Sequence, residues 1–321
     1  MVRLSGEARR SLVDDEIISK DNAWSSEKTN EILQMANRLY EGKNLEAHFA
    51  GEIAAFDGDV WAWVRARVRS GNFRGINVGD FIRFITYDEH DFVAEIAGIN
   101  TYKNYGFGEN SVSNHIDFIT RDCHPTPFVW NRVSYNNGTI VSETPWLGSD
   151  LYARLNSLQM NVPNSSAANP AMVNADYRNT GILTTLPEAL RNVIIEKHAL
   201  IPRRFTQGNL LVEDNGWDWR LIGKLWLPSE IEVYGCRQWG SNASPNQGLS
   251  SGGFQQYPIF TNNMRRVKRA GEGGERTSWW LVVSRGGHTA SVCAVRSLGY
   301  AQHHGTANAT NYRVPLCFRI A

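Results

Sequence analysis

The sequence predicts an α+β protein in which a few helices are combined with many short strands. Residues 56–69 carry apolar side chains at helical spacing. Residues 278–321 instead contain short apolar runs, rich in valine and aromatic residues, which are separated by glycine turns, as in short strands. The chain has 321 residues, of which 42% are hydrophobic, and this is enough to bury a core. We therefore expect a globular α+β fold.

The N-terminal segment, residues 1–50, is predicted to contain a helix, to mediate self-association and to attach the protein to a partner. Residues 25–26 are serines that can cap a helix, and Ile32, Met35 and Leu39 follow at helical spacing. A lone helix of this length is marginal in water, so its apolar stripe needs a partner. That partner is either its own domain or the same helix in neighbouring subunits, and the second arrangement suggests a homotrimer.

Residues 51–321 are predicted to form one domain. Its first helix, predicted over residues 56–69, has apolar side chains on one side and arginines on the other. We interpret the arginine side as a solvated face. Two apolar runs, 80–87 and 91–102, then predict a β-hairpin, and residues 114–119 predict a further strand. Ser149 is the expected cap of a helix whose buried stripe consists of Leu151, Leu155 and Leu158. Another helix is expected to begin at Pro187.

Composition predicts that four stretches lie outside buried regular structure. Three are rich in Asn, Ser, Gly or Asp and are expected to be loops, the last of them a long surface loop: 160–179, 208–218 and 240–257. The fourth, 264–276, is strongly basic but is interrupted by glycine and glutamate and has no interleaved aromatic residues. We therefore interpret it as a solvated hairpin and not as a nucleic-acid site.

The overall charge and hydropathy exclude several classes of partner. The chain has 33 Lys and Arg against 32 Asp and Glu, so no net charge recruits nucleic acid or an anionic membrane. No apolar stretch approaches the roughly 20 residues that a membrane helix needs, and the first residues do not read as a signal peptide. Synthesis in a cytoplasm is expected. The 11 Trp suggest either binding surfaces or aromatic anchors of a loop-rich domain.

No recognised catalytic or metal-binding motif is present, so we predict no enzyme activity, no cofactor and no metal site. The sequence lacks a nucleophile elbow, a zinc-protease motif, a phosphate-binding glycine loop and a dinucleotide fingerprint. His115 and Asp117 share one face of a predicted strand, but two residues without a third ligand favour a structural role. The four cysteines are widely spaced and are expected to be reduced and partly buried: Cys123, Cys236, Cys293 and Cys317.

The C-terminal residues carry a resemblance. Trp279, Trp280 and Leu281, a Gly-rich turn and a closing segment over residues 312–320 resemble the C-terminal motif of a domain family of uncharacterised function, common in phages and Firmicutes. Two upstream regions are also similar to that family: residues 225–231, and residues 56–68 with 71 and 78–80. The resemblance spans residues 56–321.

That family in turn resembles the C-type-lectin-like and formylglycine-generating-enzyme folds. The resemblance therefore implies a C-type-lectin-like domain, as in phage receptor-binding proteins and the variable proteins of diversity-generating retroelements. It implies a virion protein, either a tail fibre or another appendage, that binds a host receptor or glycan and contacts other virion proteins through residues 1–50. A virion decoration protein and a bacterial carbohydrate-binding module are the alternatives.

The enzyme relatives depend on cysteine thiolates near the C-terminus. Cys293 and Cys317 lie in predicted strands, one of them in the apolar closing run, where burial makes a thiol inert. This favours a binding function over catalysis.

Polar and aromatic residues lie between the two most apolar C-terminal runs, and we predict that they form the ligand-binding surface. They have the composition of loops that bind varied partners, although a chance Asn-rich loop is the alternative. Tyr300, His303 and His304 are the expected anchors, with residues 240–257 as the next candidate. The predicted set is Arg285, His288, Arg296, Tyr300, His303, His304, Asn308 and Asn311.

The closing segment is predicted to be one strand in which alternate side chains face the core. One of the two alternating sets should face the core. The first set is Tyr312, Val314, Leu316 and Phe318, and the second is Arg313, Pro315, Cys317 and Arg319.

Overall fold

The structure, a computed structural model, describes residues 41–104, 113–137, 145–167, 170–207, 210–239, 255–286 and 288–321. Internal contacts divide the chain into two units, Met1–Glu41 and Gly42–Ala321. The helix predicted around Ile32 lies outside the described residues. Leu45 is fully buried in the hydrophobic core of the second unit, so the core begins before the predicted boundary at residue 51. No described helix has the length and hydropathy to cross a bilayer.

The described part is a mixed α+β fold, as predicted. Its α-helices are α1 (Leu45–His48), α2 (Ala50–Ile53), α3 (Val60–Ser70), α4 (Asp150–Leu155), α5 (Ile182–Thr185), α6 (Glu188–Val193) and α7 (Glu230–Tyr234). The strands of its first half are β1 (Phe81–Ile85), β2 (Asp91–Ile99), β3 (Ile116–Thr120), β4 (Gln159–Pro163), β5 (Met172–Asp176), β6 (Ile194–Ile195) and β7 (His198–Gln207). The later strands are β8 (Leu210–Leu221), β9 (Lys268–Arg269), β10 (Arg276–Ser284), β11 (Ser291–Val295), β12 (Ala301–Thr306), β13 (Tyr312–Arg313) and β14 (Cys317–Ile320).

The longest of these helices, α3, shows how local sequence sets its ends. The Asp59 side chain accepts hydrogen bonds from two amides of the first turn and so caps the N-terminus. Gly71 ends the helix with a φ of 69°, a left-handed conformation that glycine adopts without strain. Trp61, Val64 and Val68 are buried, as the helical spacing predicts.

The first sheet brings the two ends of the described chain into one core. Its strand order is β1-β2-β3-β14-β6, and every neighbouring pair is antiparallel. Phe318 of β14 lies opposite Phe118 of β3, and their rings stack with centroids 5.2 Å apart. Trp61 of α3 meets both rings edge-on. The C-terminal strand is therefore an interior strand of the sheet.

The second sheet has the order β12-β11-β10-β13, with β9 also paired to β10. Adjacent tryptophans of β10 point to opposite faces, as strand geometry requires. Trp279 stacks near Phe260, whereas Trp280 stacks on Tyr312 with centroids 4.0 Å apart. Gly305 of β12 lies against Trp280, and an added Cβ would stand 2.7 Å from that ring. Both faces of β10 are therefore covered.

Two stretches predicted to be loops are hairpins. Residues 160–179 contain most of β4 and all of β5, and residues 208–218 fall largely within β8, which pairs with β7. The Asn, Ser and Asp content that suggested loops does not prevent backbone pairing in a two-stranded ribbon, because such a ribbon needs little burial. In β4 and β5 the buried residues are Val162, Pro163 and Ala175.

The prediction of one alternating closing strand is wrong. The segment forms β13 and β14, which belong to different sheets, and Cys317 and Arg319 are as deeply buried as Phe318. Both faces of β14 are covered, so burial does not alternate. Arg319 is accommodated because it forms an ion pair with Asp117 of β3.

Two smaller expectations also fail. Helix α4 has the predicted Ser149 cap but ends at Leu155, so Leu158 is not part of its stripe. The basic hairpin is not wholly solvated, because Lys268 is 1% exposed. Its Nζ donates to the carbonyls of Thr120 and Arg121, at 2.6 and 3.0 Å. A buried ammonium is tolerated when its hydrogen bonds are made.

Candidate functional site

The predicted site residues lie around β11 and β12 but do not form one cluster. Arg296 and Tyr300 lie in the turn that joins the two strands, whereas Arg285 and His288 lie in the loop before β11, at the opposite end. The six residues of β12 span about 17 Å or more, so side chains near its two ends are well separated. Tyr300 is 52% exposed and His288 is also exposed, whereas the two arginines are half-buried.

The other four predicted residues lie in β12 or just after it. His303 is half-buried and belongs to β12 itself. His304 follows it in the strand, but its side chain is outside the described part. Asn308 and Asn311 are exposed in the segment that leads from β12 to β13.

An exposed aromatic pair lies beside β12. The Trp239 indole stacks on the His303 ring with centroids 3.8 Å apart and an interplanar angle of 29°. Trp239 is 42% exposed, so one part of its ring stays available to solvent. This is an unusual place for a large aromatic side chain, because tryptophan is normally mostly buried.

The backbone around Trp239 is held from several directions. Its amide donates to the buried carboxylate of Glu230 at 3.0 and 3.1 Å, and the Gln238 amide donates to the same group at 3.1 Å. The Trp239 carbonyl accepts a hydrogen bond from the Gly286 amide at 2.8 Å. Glu230 begins α7, which Ser229 caps through a capping box. The backbone at Trp239 is therefore fixed by the first residue of α7.

A shallow cavity of about 370 Å³ opens near the β11–β12 turn. The Tyr234 hydroxyl donates to the Gly299 carbonyl at 3.3 Å, and burial raises the pKa of Tyr234, which keeps the phenol neutral. The Arg266 guanidinium lies 4.9 Å from the Tyr234 ring centroid. The lining residues are Tyr234, Gln238, Asn263, Arg266, Leu298, Gly299, Tyr300 and Ala301.

The aromatic pair and the cavity adjoin each other. Ala301 lines the cavity, and His303, two residues later in β12, points to the same face. Gln238 lines the cavity and directly precedes Trp239. Leu298 and Tyr300 add exposed apolar area, at 62% and 52% exposure. We call the cavity together with the Trp239–His303 pair the ligand surface.

The ligand surface combines flat rings with hydrogen-bonding groups. Arg296 lies beside it, with its guanidinium carbon 6.0 Å from the Tyr300 ring, and a hydrogen bond with Tyr300 raises the pKa of Arg296. Amide and guanidinium groups from Gln238, Asn263 and Arg266 line the cavity. Such an arrangement suits a ligand with both an apolar face and hydroxyl or carboxyl groups, as a sugar has.

The His115–Asp117 pair belongs to a different region, a set of buried ionisable groups between the first sheet and α7. We call this set the interior charged cluster. Arg319 binds Asp117 through two hydrogen bonds of 2.7 and 2.8 Å, and the Tyr257 hydroxyl donates to Asp117 at 2.8 Å. Its members are Tyr102, His115, Asp117, Lys197, Glu232, Tyr257 and Arg319.

The second half of the cluster is centred on Lys197. Its Nζ contacts the Glu232 carboxylate and lies 3.8 Å from the centroid of the Trp226 ring. The Tyr102 hydroxyl donates to Glu232 at 2.9 Å, and the ring of Tyr257 lies 5.2 Å from the ammonium. The Lys197 ammonium is thus stabilised both by a carboxylate and by the faces of aromatic rings.

Burial and pairing set the charge states in this cluster. Burial lowers the pKa of His115 to about 4, so the ring is neutral near pH 7. Its Nδ1 faces the Ser113 carbonyl at 2.9 Å and its Nε2 accepts from the Tyr102 amide at 3.2 Å, which fits one neutral tautomer. Desolvation raises the pKa of Asp117, but the charge and hydrogen bonds of Arg319, with smaller contributions from His115 and Lys197, together hold it below its usual range. The geometry agrees with the structural interpretation of His115 and Asp117.

The cysteines divide into three buried thiols and one exposed thiol. Cys123, Cys293 and Cys317 are buried, whereas Cys236 is exposed, and none of the four forms a disulfide. Burial raises the pKa of the Cys123 and Cys317 thiols. These two groups are therefore protonated near pH 7, and a thiol in that state is a weak nucleophile.

Sequence reasoning missed much of the ligand surface. Trp239, Gln238 and Tyr234 come from the α7 region, and Asn263 and Arg266 come from the basic segment, so these five residues lie outside the C-terminal segment 278–321. One signal was present: Trp239 directly precedes the polar 240–257 stretch, where a lone tryptophan has no local apolar partner.

Comparisons with protein-family models, with curated proteins and with solved structures find no match in any of the three. A function for this chain must therefore be inferred from the geometry and charges of its own surfaces.

Proposed function

We propose that this protein is a non-enzymatic bacteriophage virion protein, a tail fibre or another appendage, that presents a lectin-like receptor-binding surface to the host. The observation that carries the proposal is the exposed Trp239–His303 stack beside the cavity at Tyr300. Its ligand is a host surface receptor, and a glycan fits best, because exposed rings flanked by amide and guanidinium groups suit sugar rings.

The energetics of the surface favour binding over packing. Exposed apolar side chains that are gathered in one place mark interaction sites, whereas single exposed residues do not. Trp239, Leu298 and Tyr300 are all more than 40% exposed and lie on one surface. Because the Glu230 carboxylate already fixes the backbone at Trp239, a ligand meets a ring that loses little further entropy on binding.

The proposed fold is C-type-lectin-like. It is supported by the general arrangement, in which the C-terminal strand β14 lies inside the first sheet and the second sheet carries the ligand surface. The N-terminal segment completes the proposal as the part that forms a homotrimer and contacts other virion proteins. Light scattering tests the homotrimer: a chain that begins at Gly42 should be monomeric, and an unchanged mass would place self-association in the domain.

Glycan-array binding and adsorption to bacterial cells test the receptor-binding role. Tyr300→Ala should weaken binding by about 30-fold, since an aromatic anchor contributes about 2 kcal/mol. His304→Ala is expected to act in the same direction. Tyr87→Ala is the matched control, because Tyr87 is 63% exposed but lies in the β1–β2 turn. Binding that survives both Tyr300→Ala and His304→Ala would move the site elsewhere.

The same array separates the main alternative. A virion decoration protein would bind no glycan and would copurify with virion components. A bacterial carbohydrate-binding module would bind glycans without any virion association. Copurification of the full chain with virions, combined with glycan binding by the domain, is the outcome that the proposal requires.

A further inference from the structure

We propose that Asp88, His90 and His124 form a binding site for a divalent transition-metal ion of the Zn²⁺ class. One ligand atom from each residue, a ring nitrogen or a carboxylate oxygen, lies within 4.8 Å of the other two. The His90 Nε2 and the Asp88 Oδ2 are 3.7 Å apart, and the two imidazole centroids are 4.8 Å apart. This site is separate from the ligand surface and does not depend on the proposed function.

The two sides of the site are held by backbone hydrogen bonds. Asp88 and His90 lie in the turn between β1 and β2, where the His90 amide donates to the Thr86 hydroxyl at 3.0 Å and the Thr86 amide donates to the His90 carbonyl at 3.0 Å. His124 follows β3, and its amide donates to the Val314 carbonyl at 2.8 Å. The fold thus brings distant parts of the sequence together with little backbone freedom.

An unsatisfied nitrogen gives a second, independent indication of a ligand. His124 is 3% exposed, and its Nε2 has no hydrogen-bond partner among the described residues. A buried polar atom without a partner is costly and calls for an explanation. The ring packs edge-on against His90 and Phe128. An ion binds this nitrogen only after the proton on it has moved away.

The proton balance of binding follows from the other ring nitrogen. The Thr126 amide donates to Nδ1 of His124 at 3.1 Å, so the neutral ring carries its proton on Nε2 before binding. When the ion binds Nε2, that proton moves to Nδ1 and the Thr126 hydrogen bond is lost. This exchange lowers the affinity.

The donor set selects the type of ion. Two imidazoles and one carboxylate suit Zn²⁺ and similar transition ions, whereas Ca²⁺ and Mg²⁺ prefer oxygen ligands. Ligands of a tetrahedral Zn²⁺ lie about 3.4 Å apart, so the donors must approach each other. Asp88 is exposed and can move most easily. The ion would join the β1–β2 turn to the end of β3 and stabilise that edge of the first sheet.

Calorimetric titration of the full chain with ZnCl₂ tests the proposal. We expect one site in the wild-type chain. The dissociation constant should be at least 10-fold larger in His90→Gln, and it should also be larger in Asp88→Asn. His48→Gln is the matched control, because His48 is exposed on α1 and belongs to no cluster of three described metal-ligating side chains. Unchanged binding in His90→Gln would overturn the proposal, and so would loss of binding in His303→Gln instead.

Thermal unfolding provides a second readout that also controls for folding. Ligand that binds only the native state raises the melting temperature. Zn²⁺ should raise the melting temperature of the wild-type chain and of His48→Gln but not that of His90→Gln, while all three melt alike in a chelator. An equal rise in all three would show adventitious binding and overturn the site.

Discussion

The interior charged cluster and the ligand surface both contain tyrosine, histidine and arginine, but they differ in how the polar groups are satisfied. In the cluster, Asp117 accepts from Arg319 and Tyr257, and each of these partners is buried. At the ligand surface, hydrogen bonds fix the backbone of Trp239 but leave its ring exposed. The difference teaches that the perturbed charge states here accompany buried, satisfied side chains, whereas the rings that remain exposed on a fixed backbone are the ones available to a ligand.

The largest effect on stability is expected when the cluster loses one charge. Asp117→Ala leaves the buried Arg319 without its carboxylate, and breaking such a pair costs about 3–5 kcal/mol of unfolding free energy. Chemical denaturation measures this loss. Asp176→Ala is the matched control, because it removes the exposed carboxylate bound to Arg178 and should leave the denaturation midpoint unchanged. Equal effects of the two variants would contradict a structural role for the cluster.

A slightly smaller loss is expected from the core beside the cluster. Phe318→Ala removes a fully buried ring that stacks on Phe118 and meets Trp61 edge-on. Such a truncation costs about 3 kcal/mol or somewhat more, because the cavity closes only in part. A lower melting temperature checks this expectation. A soluble variant with an unshifted melting temperature would be inconsistent with β14 as an interior strand.

Acid should weaken the fold through His115. Its pKa is lowered to about 4 by burial, whereas the unfolded chain has the usual value near 6.5. Because the native state binds fewer protons in this range, the stabilisation is complete above pH 6.5 and is lost as the pH falls to about 4. The full shift corresponds to about 3 kcal/mol of unfolding free energy.

Denaturation at a series of pH values measures this slope. His115→Gln should make the slope between pH 6.5 and 4 shallower, with the remainder due to His124, whose pKa burial also lowers to about 4. The exposed His48→Gln should leave the slope as in the wild type. The same steep slope in His115→Gln would mean that other groups carry the acid sensitivity.

The sequence predicted the elements of the first core well, because periodicity reports burial. The spacing of Trp61, Val64 and Val68 predicted the buried face of α3, and the apolar runs predicted the β1–β2 hairpin. The Ser149 cap was also predicted correctly, since capping depends on neighbouring residues alone. These features are local, so the sequence contains the information that they need.

Features that depend on distant partners could not be predicted. The burial of Arg319 follows from Asp117 on another strand, and the burial of Lys268 follows from carbonyls at the end of β3. The ligand surface is similar, because Trp239 meets His303 only after α7 and β12 have packed. The hairpins β4–β5 and β7–β8 were missed because a polar composition predicted loops there. Backbone pairing between the two strands, which composition does not report, determines the structure instead.

The smallest effect on stability and the largest on binding should come from one change, Trp239→Ala. Its exposed indole contributes little to the core, so the melting temperature should stay within a degree or two, as for most surface changes of about 0.5 kcal/mol. Glycan-array binding should fall by about 30-fold or more, since an aromatic anchor contributes about 2 kcal/mol. Full binding by a stably folded Trp239→Ala protein would contradict the assignment of the ligand surface.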